Sequence, residues 1–387
     1  MTSDVSALRL ALGGLLSLAV AMGIGRFAYT PLLPEMVAKI PLSNTAAGLL
    51  ASSNFLGYLL GALAASLPAF SQQRRVLLWA FATSGITTAL TGASSEIWFL
   101  LAVRFAGGVA SAFVFIFASS IVLARLGEMG RPGLTAVHFA GVGTGIAASA
   151  ALLAALSAVD FGWRGAWLAL GIVSLAALPA VAQLVATAPS GDRRTSGPAT
   201  SLDLTWPLVA LIVAYGLFGF GYVITATFLV AIVRATAEMQ AWEETIWILF
   251  GLAAIPSVAL WSQLAMRAGT FGVMALACIV EAVGVAASVL VPSLAGAILA
   301  SLFLGGTFVG ITALGLVGAR SLSSSDPARV TALMTGSFGA GQIVGPAFAG
   351  FVVERTGNYV VPTLAAALML LVAAALSFGI ARVRPAP

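Results

Sequence analysis

The chain has 387 residues, 60% of them hydrophobic and only 8% charged, where a soluble domain carries about 25% charged residues. With a mean hydropathy of +1.07 it cannot cover a water-facing surface, so lipid must be its solvent. A formal charge of +5 would suit nucleic acid, but the basic residues are spread through short loops and do not gather on one face, which excludes that class and fits membrane orientation.

The apolar run from Leu8 is too long for the core of a cleavable signal and reads as a first transmembrane helix. Spans of about 20 apolar residues are predicted at 8–33, 45–69, 76–94, 97–124, 134–157, 165–187, 206–233, 244–266, 270–290, 295–319, 330–353 and 360–381. Pro31 and Pro34 are expected to end the first. "SQQRR" (71–75), "GEMGRP" (127–132) and "SSSDPAR" (323–329) are polar turns. The longest polar break, "SGDRRTSGPATS" (190–201), falls near the midpoint.

With the N-terminus in the cytoplasm, the inside segments hold Arg9, Arg74, Arg75, Arg125, Arg131, Arg193, Arg194, Arg267, Arg320, Arg329, Arg382 and Arg384. The outside segments hold Lys39, Arg164, Arg234 and Arg355. Twelve against four fixes the expected orientation and supports the helix count, since a missed span would scramble the alternation. Only Arg26 and Arg104 are left within spans.

Shifted by 196 residues, "GIGRFAYTPLLPEMV" (23–37) falls on "GFGYVITATFLVAIV" (219–233), with Gly23 on Gly219 and Gly25 on Gly221. At the same shift Thr135, Ala136, Gly143 and Gly145 meet Thr331, Ala332, Gly339 and Gly341. The chain is therefore expected to be an all-α integral membrane protein of twelve transmembrane helices in two pseudo-symmetric six-helix bundles. The expected boundaries are 1–188, a cytoplasmic linker 189–204, and 205–387.

Parallel halves joined by a mid-chain cytoplasmic loop resemble the major facilitator superfamily. "RFAGGVASA" (104–112) looks like its fourth-helix pattern, and "GWRGAW" (162–167) resembles the connection before its sixth helix. "GALAASLPAFSQQRR" (61–75) departs from the usual loop between helices two and three, with Ala65 where an aspartate is usual. "GIGRFAYTPLLPEM" (23–36) with "TAVHFAGVGTGI" (135–146) resembles the YbfB/YjiJ-type branch of bacterial facilitators. The resemblance implies alternating access around a central cavity lined in part by the first helix.

Arg26 is the leading site residue. A charge at bilayer depth costs at least about 2.5–3.5 kcal/mol and normally faces protein or water. Its forked donors suit a carboxylate, phosphate or sulfonate; the alternative is an arginine spent on helix carbonyls or snorkelling outward. Tyr29, three residues on, is expected on the same face. Tyr222 is the repeat counterpart of Arg26 and the first choice for the opposite wall. Arg104, Asn54 and Tyr58 (four apart), and Gln342 complete the expected substrate-binding set, each with helix packing as its alternative. His138, on the stripe Gly141-x₃-Gly145-x₃-Ser149, and Glu281, the acid well inside a span, are the proton-coupling candidates. The phenylalanines 113, 115 and 117 are expected to serve lipid or core packing.

The function these features support is secondary transport of a small organic anion, carboxylate-type, across the bacterial inner membrane by a monomer, through proton coupling or anion exchange. Efflux of hydrophobic or aromatic compounds is the alternative. One cysteine, Cys278, and one histidine leave no nucleophile or metal constellation for an integral-membrane enzyme, and no cofactor, metal or nucleic acid is expected.

Overall fold

The computed structural model describes residues 2–65, 67, 70, 72–185, 204–322 and 327–383, which form helices and turns with no strand among them. The expected linker lies outside these residues except for Leu204, as do Arg193, Arg194 and Arg384.

The first span is α1 (Thr2–Leu18), a π-helical segment (Ala19–Ile24), a turn at 25–28, and α2 (Tyr29–Lys39). Pro31 and Pro34 do not end it. Pro31 falls in the first turn of α2, where its missing amide has no intrahelical partner to lose, and the helix carries Pro34 inside it. The interruption instead precedes α2, between the π segment and Tyr29, in the stretch that holds Arg26.

There follow α3 (Asn44–Ala64), α4 (Gln73–Thr91), α5 (Ile97–Glu128), α6 (Thr135–Ser157), and the pair α7 (Gly162–Ala176) and α8 (Leu178–Leu184). The second half comprises α9 (Trp206–Arg234), the pair α10 (Glu243–Ala254) and α11 (Ser257–Ala268), α12 (Thr270–Leu290), α13 (Leu294–Leu322), α14 (Pro327–Thr356) and α15 (Val360–Val383). Among the described residues ten stretches are long and apolar enough to cross a membrane, and α10–α11 makes an eleventh, bent by 41°. Pro256 sits at that bend and cannot donate back into the preceding turn. The remaining rod, α4, fills the place of the third expected span. Arg74, Arg75 and four threonines dilute its apolar content, and each threonine hydroxyl bonds a carbonyl one turn back.

Small residues set how closely the rods approach. Gly145 on α6 packs on the backbone of Ala19, and its repeat counterpart Gly341 on α14 packs on the backbone of Gly216 in α9. Thr30 Oγ1 donates to the carbonyl of Ala226 at 2.6 Å, 196 residues away. That contact joins two repeat-equivalent positions across the interface between the halves.

The halves meet tightly on the side away from the termini. Ser52 Oγ donates to the Ile343 carbonyl at 2.6 Å, and Gly48 of α3 lies directly on the backbone of Pro346 in α14. A β-branched residue at Gly48 must push those two helices apart. In a Ser52→Cys protein the thiol is therefore expected to react slowly with a maleimide, and faster once Gly48→Val is added; Cys278 is buried and stays silent. An unchanged labelling rate would show that this crossing does not hold that side closed.

Candidate functional site

Between the halves lies a cavity of about 250 Å³. Met22, Arg26 and Phe27 of the first span, Tyr58 of α3, and Phe115, Ser119 and Leu123 of α5 form one side with Phe139 and Val142 of α6. Tyr222 of α9, Phe338 and Gln342 of α14, Val258 of α11 and one face of α13 form the other. That α13 face descends through Phe308, Thr312 and Leu316 to Arg320, which is exposed near the helix end on the side of the termini. The cavity thus runs from Arg26 toward the terminus side, opposite the closed crossing of α3 and α14.

Arg26 sits at the deep end, 4% exposed. Its guanidinium carbon lies 4.3 Å from the ring centre of Phe55 and 4.4 Å from that of Tyr58, so two aromatic faces hold it by cation–π attraction. Its Nε and Nη2 have no partner. These adjacent atoms form the forked edge of the guanidinium, the edge that matches a carboxylate. A buried charged donor left unpaired is costly, and Arg26 is at the same time one of the residues that line the cavity.

Opposite stands Tyr222, whose hydroxyl accepts a hydrogen bond from Gln342 Nε2 and keeps its own hydrogen to donate. Gln342 Oε1 has no partner. Of the seven residues expected to bind substrate, Arg26, Tyr58, Tyr222 and Gln342 line this cavity.

The structure places the other three outside it. Arg104 donates through Nη1 to the Gly25 carbonyl at 3.2 Å and through Nη2 to the Arg26 carbonyl at 3.4 Å, with its guanidinium 4.8 Å from the Tyr29 ring centre. Tyr29 gives its hydroxyl hydrogen to the Ala47 carbonyl at 2.8 Å, and Asn54 Nδ2 donates to the Arg104 carbonyl at 2.8 Å. The expectation that Tyr29 shares the face of Arg26 assumed an unbroken α-helix. The turn at 25–28 changes the phase, so Arg26 faces the cavity while Tyr29 faces Arg104.

His138 is fully buried behind the wall, with Nε2 2.9 Å from Ser119 Oγ, and Ser119 itself lines the cavity. Glu281 on α12 is fully buried, and its Oε2 accepts from Thr307 Oγ1 at 3.0 Å. Its Oε1 has no partner. Neither candidate reaches the cavity surface directly.

Sequence reasoning missed the aromatic wall of Phe308 and Phe338, and it set aside Phe115, which lines the cavity while Phe113 and Phe117 pack against each other. Phe338 stands one helical turn before Gln342, a spacing that marks a shared face. Among the described residues the charged side chains lining the cavity, Arg26 and Arg320, are cations, and none is acidic.

Comparison with known proteins bears on the same architecture. A family described as "Uncharacterised MFS-type transporter YbfB" matches residues 18–378. Among solved structures, the nucleoside transporter NupG superposes with a TM-score of 0.67 at 15% identity, over 99% of this chain and 100% of that one. A bacterial homologue of the human lysosomal transporter Spinster gives a TM-score of 0.67 at 15% identity, over 98% of this chain and 97% of the other. No match was found among curated proteins. At these identities the structures share the fold, while the family match spans nearly the whole chain: this protein belongs to the YbfB-type family of major facilitator transporters.

Proposed function

We propose that this transporter carries a small organic anion, carboxylate-type, across the bacterial cytoplasmic membrane by alternating access. The carrying observation is the unpartnered Nε–Nη2 edge of Arg26, a residue at the deep end of a cavity whose described lining holds two cations and no acid. Arg320 near the mouth draws anions in by its field. On this reading the terminus side is cytoplasmic, the closed crossing of α3 and α14 is the outer gate, and the halves 1–188 and 205–387 rock about the site as a monomer. A protease site inserted at 195 is then cut only from the cytoplasmic face, and light scattering of the detergent-solubilised protein gives a single-chain mass.

Two couplings follow from the surroundings. Proton symport would use His138, one hydrogen bond behind the cavity wall, or Glu281; anion exchange would use neither. An imposed pH gradient accelerates uptake under symport, and His138→Ala or Glu281→Gln abolishes that acceleration; under exchange the gradient has no effect.

Efflux of hydrophobic or aromatic compounds is the second reading, favoured by the aromatic walls. Purified protein in liposomes separates the two. The anion reading expects saturable carboxylate uptake above that of empty liposomes, accelerated by unlabelled carboxylate inside. No such flux for any carboxylate, phosphate or sulfonate, with flux of neutral or cationic aromatics instead, overturns it.

A further inference from the structure

We infer that the anion is an aromatic monocarboxylate of about one ring, its carboxylate on Arg26 and its ring along the wall formed by Tyr222, Phe308 and Phe338. This rests on the anion reading and narrows it. The Tyr222 ring is within 4° of parallel to Phe338 at 5.8 Å and within 13° of parallel to Phe308 at 5.7 Å. All three line the cavity, so a flat ligand can lie parallel to the three rings at once. Phe27 meets Phe308 edge-on, at 70° and 5.7 Å, and closes the end of that wall beside Arg26. Across the cavity, Phe115 and Phe139 are tilted at 45° to each other and offer an apolar surface with no such shared orientation.

Polar atoms left without a partner, on Arg26 and Gln342, lie at one end. Arg26 offers two adjacent unpaired donors, Tyr222 offers its hydroxyl hydrogen, and Gln342 offers an unpartnered Oε1. The two oxygens of one carboxylate satisfy the Arg26 edge. A second anionic group would find no further cation at that end, because the other lining cation, Arg320, is exposed at the far end of the cavity. The volume of about 250 Å³ is below the usual range of about 300–1,000 Å³ for small-molecule pockets and above the roughly 150 Å³ that takes a benzene ring, so a one-ring body fits together with its carboxylate. A saturated ring of the same bulk buries similar apolar area but forfeits the ring-on-ring geometry, a loss of about 2- to 10-fold in Kd.

The test is a set of dissociation constants for purified wild-type protein with benzoate, cyclohexanecarboxylate, acetate, benzyl alcohol and uridine. The expected order is benzoate tightest, cyclohexanecarboxylate weaker by about 2- to 10-fold, and acetate weaker again for want of a body. Phe308→Leu and Phe338→Leu should erase the preference for benzoate over cyclohexanecarboxylate and leave the latter nearly unchanged. Equal affinity of the wild type for the two ring acids, or acetate as tight as benzoate, overturns the aromatic assignment and leaves the anion reading standing. Benzyl alcohol or uridine binding as tightly as benzoate overturns both. The wild-type comparison decides even if a variant fails to fold.

Discussion

Arg26→Lys is expected to raise the KM for carboxylate uptake by about 10- to 100-fold, and Arg26→Ala to abolish saturable uptake. The reason is geometric. Lysine returns the charge but not two adjacent donors in one plane, and it gives up the flat stacking between Phe55 and Tyr58, whose ring centres lie 4.3 and 4.4 Å from the guanidinium carbon. A hydrogen bond to a charged group is worth about 1.5–3 kcal/mol, which converts to the stated range. Initial rates in liposomes over a concentration series read the effect. An Arg26→Ala protein with wild-type KM would show that the arginine is a packing element and would favour the efflux reading.

Arg104→Ala is expected to be the most destabilising substitution among the site candidates. The guanidinium is 4% exposed and caps the carbonyls of Gly25 and Arg26, where the chain leaves helical geometry and no i+4 amide serves them. Removing it leaves two buried acceptors unpaired, at about 1–3 kcal/mol each, with a discount because polar groups in a membrane protein find other partners on unfolding. The melting midpoint should fall by several degrees. The KM should also rise, because the turn that Arg104 braces is the one that aims Arg26. Arg104→Lys reaches one carbonyl and should restore part of the midpoint. An unchanged midpoint in Arg104→Ala would mean that these contacts contribute nothing to holding the turn.

The two arginines show where the sequence was readable and where it was not. Their positions inside apolar runs announced that each must be paired or face a cavity, since lipid offers neither. Which was which depended on the π segment and turn between Ala19 and Ala28, and a hydropathy pattern carries no mark of one extra residue in a helical turn. The same shift separated Tyr29 from Arg26. The repeat was more informative than hydropathy: the 196-residue offset paired Arg26 with Tyr222, and both line one cavity. It also paired Thr30 with Ala226, which touch across the two halves. Spans were legible wherever a run was continuously apolar. They were blurred at α4, where threonine hydroxyls are hidden by bonds to their own helix, and at Pro256, where one span becomes two helices. Phe308 and Phe338 were not legible, because in a chain with 22 phenylalanines nothing local separates a ring facing a cavity from one facing lipid.

The most direct measurement is the melting temperature of the purified wild-type and Arg26→Ala proteins against carboxylates, phosphates, sulfonates and hydrophobic cations. A ligand that binds the folded state raises the midpoint by mass action. The account predicts that carboxylates raise the midpoint of the wild type and leave that of Arg26→Ala where it was. Midpoints that rise only with hydrophobic cations, and equally in both proteins, would contradict it.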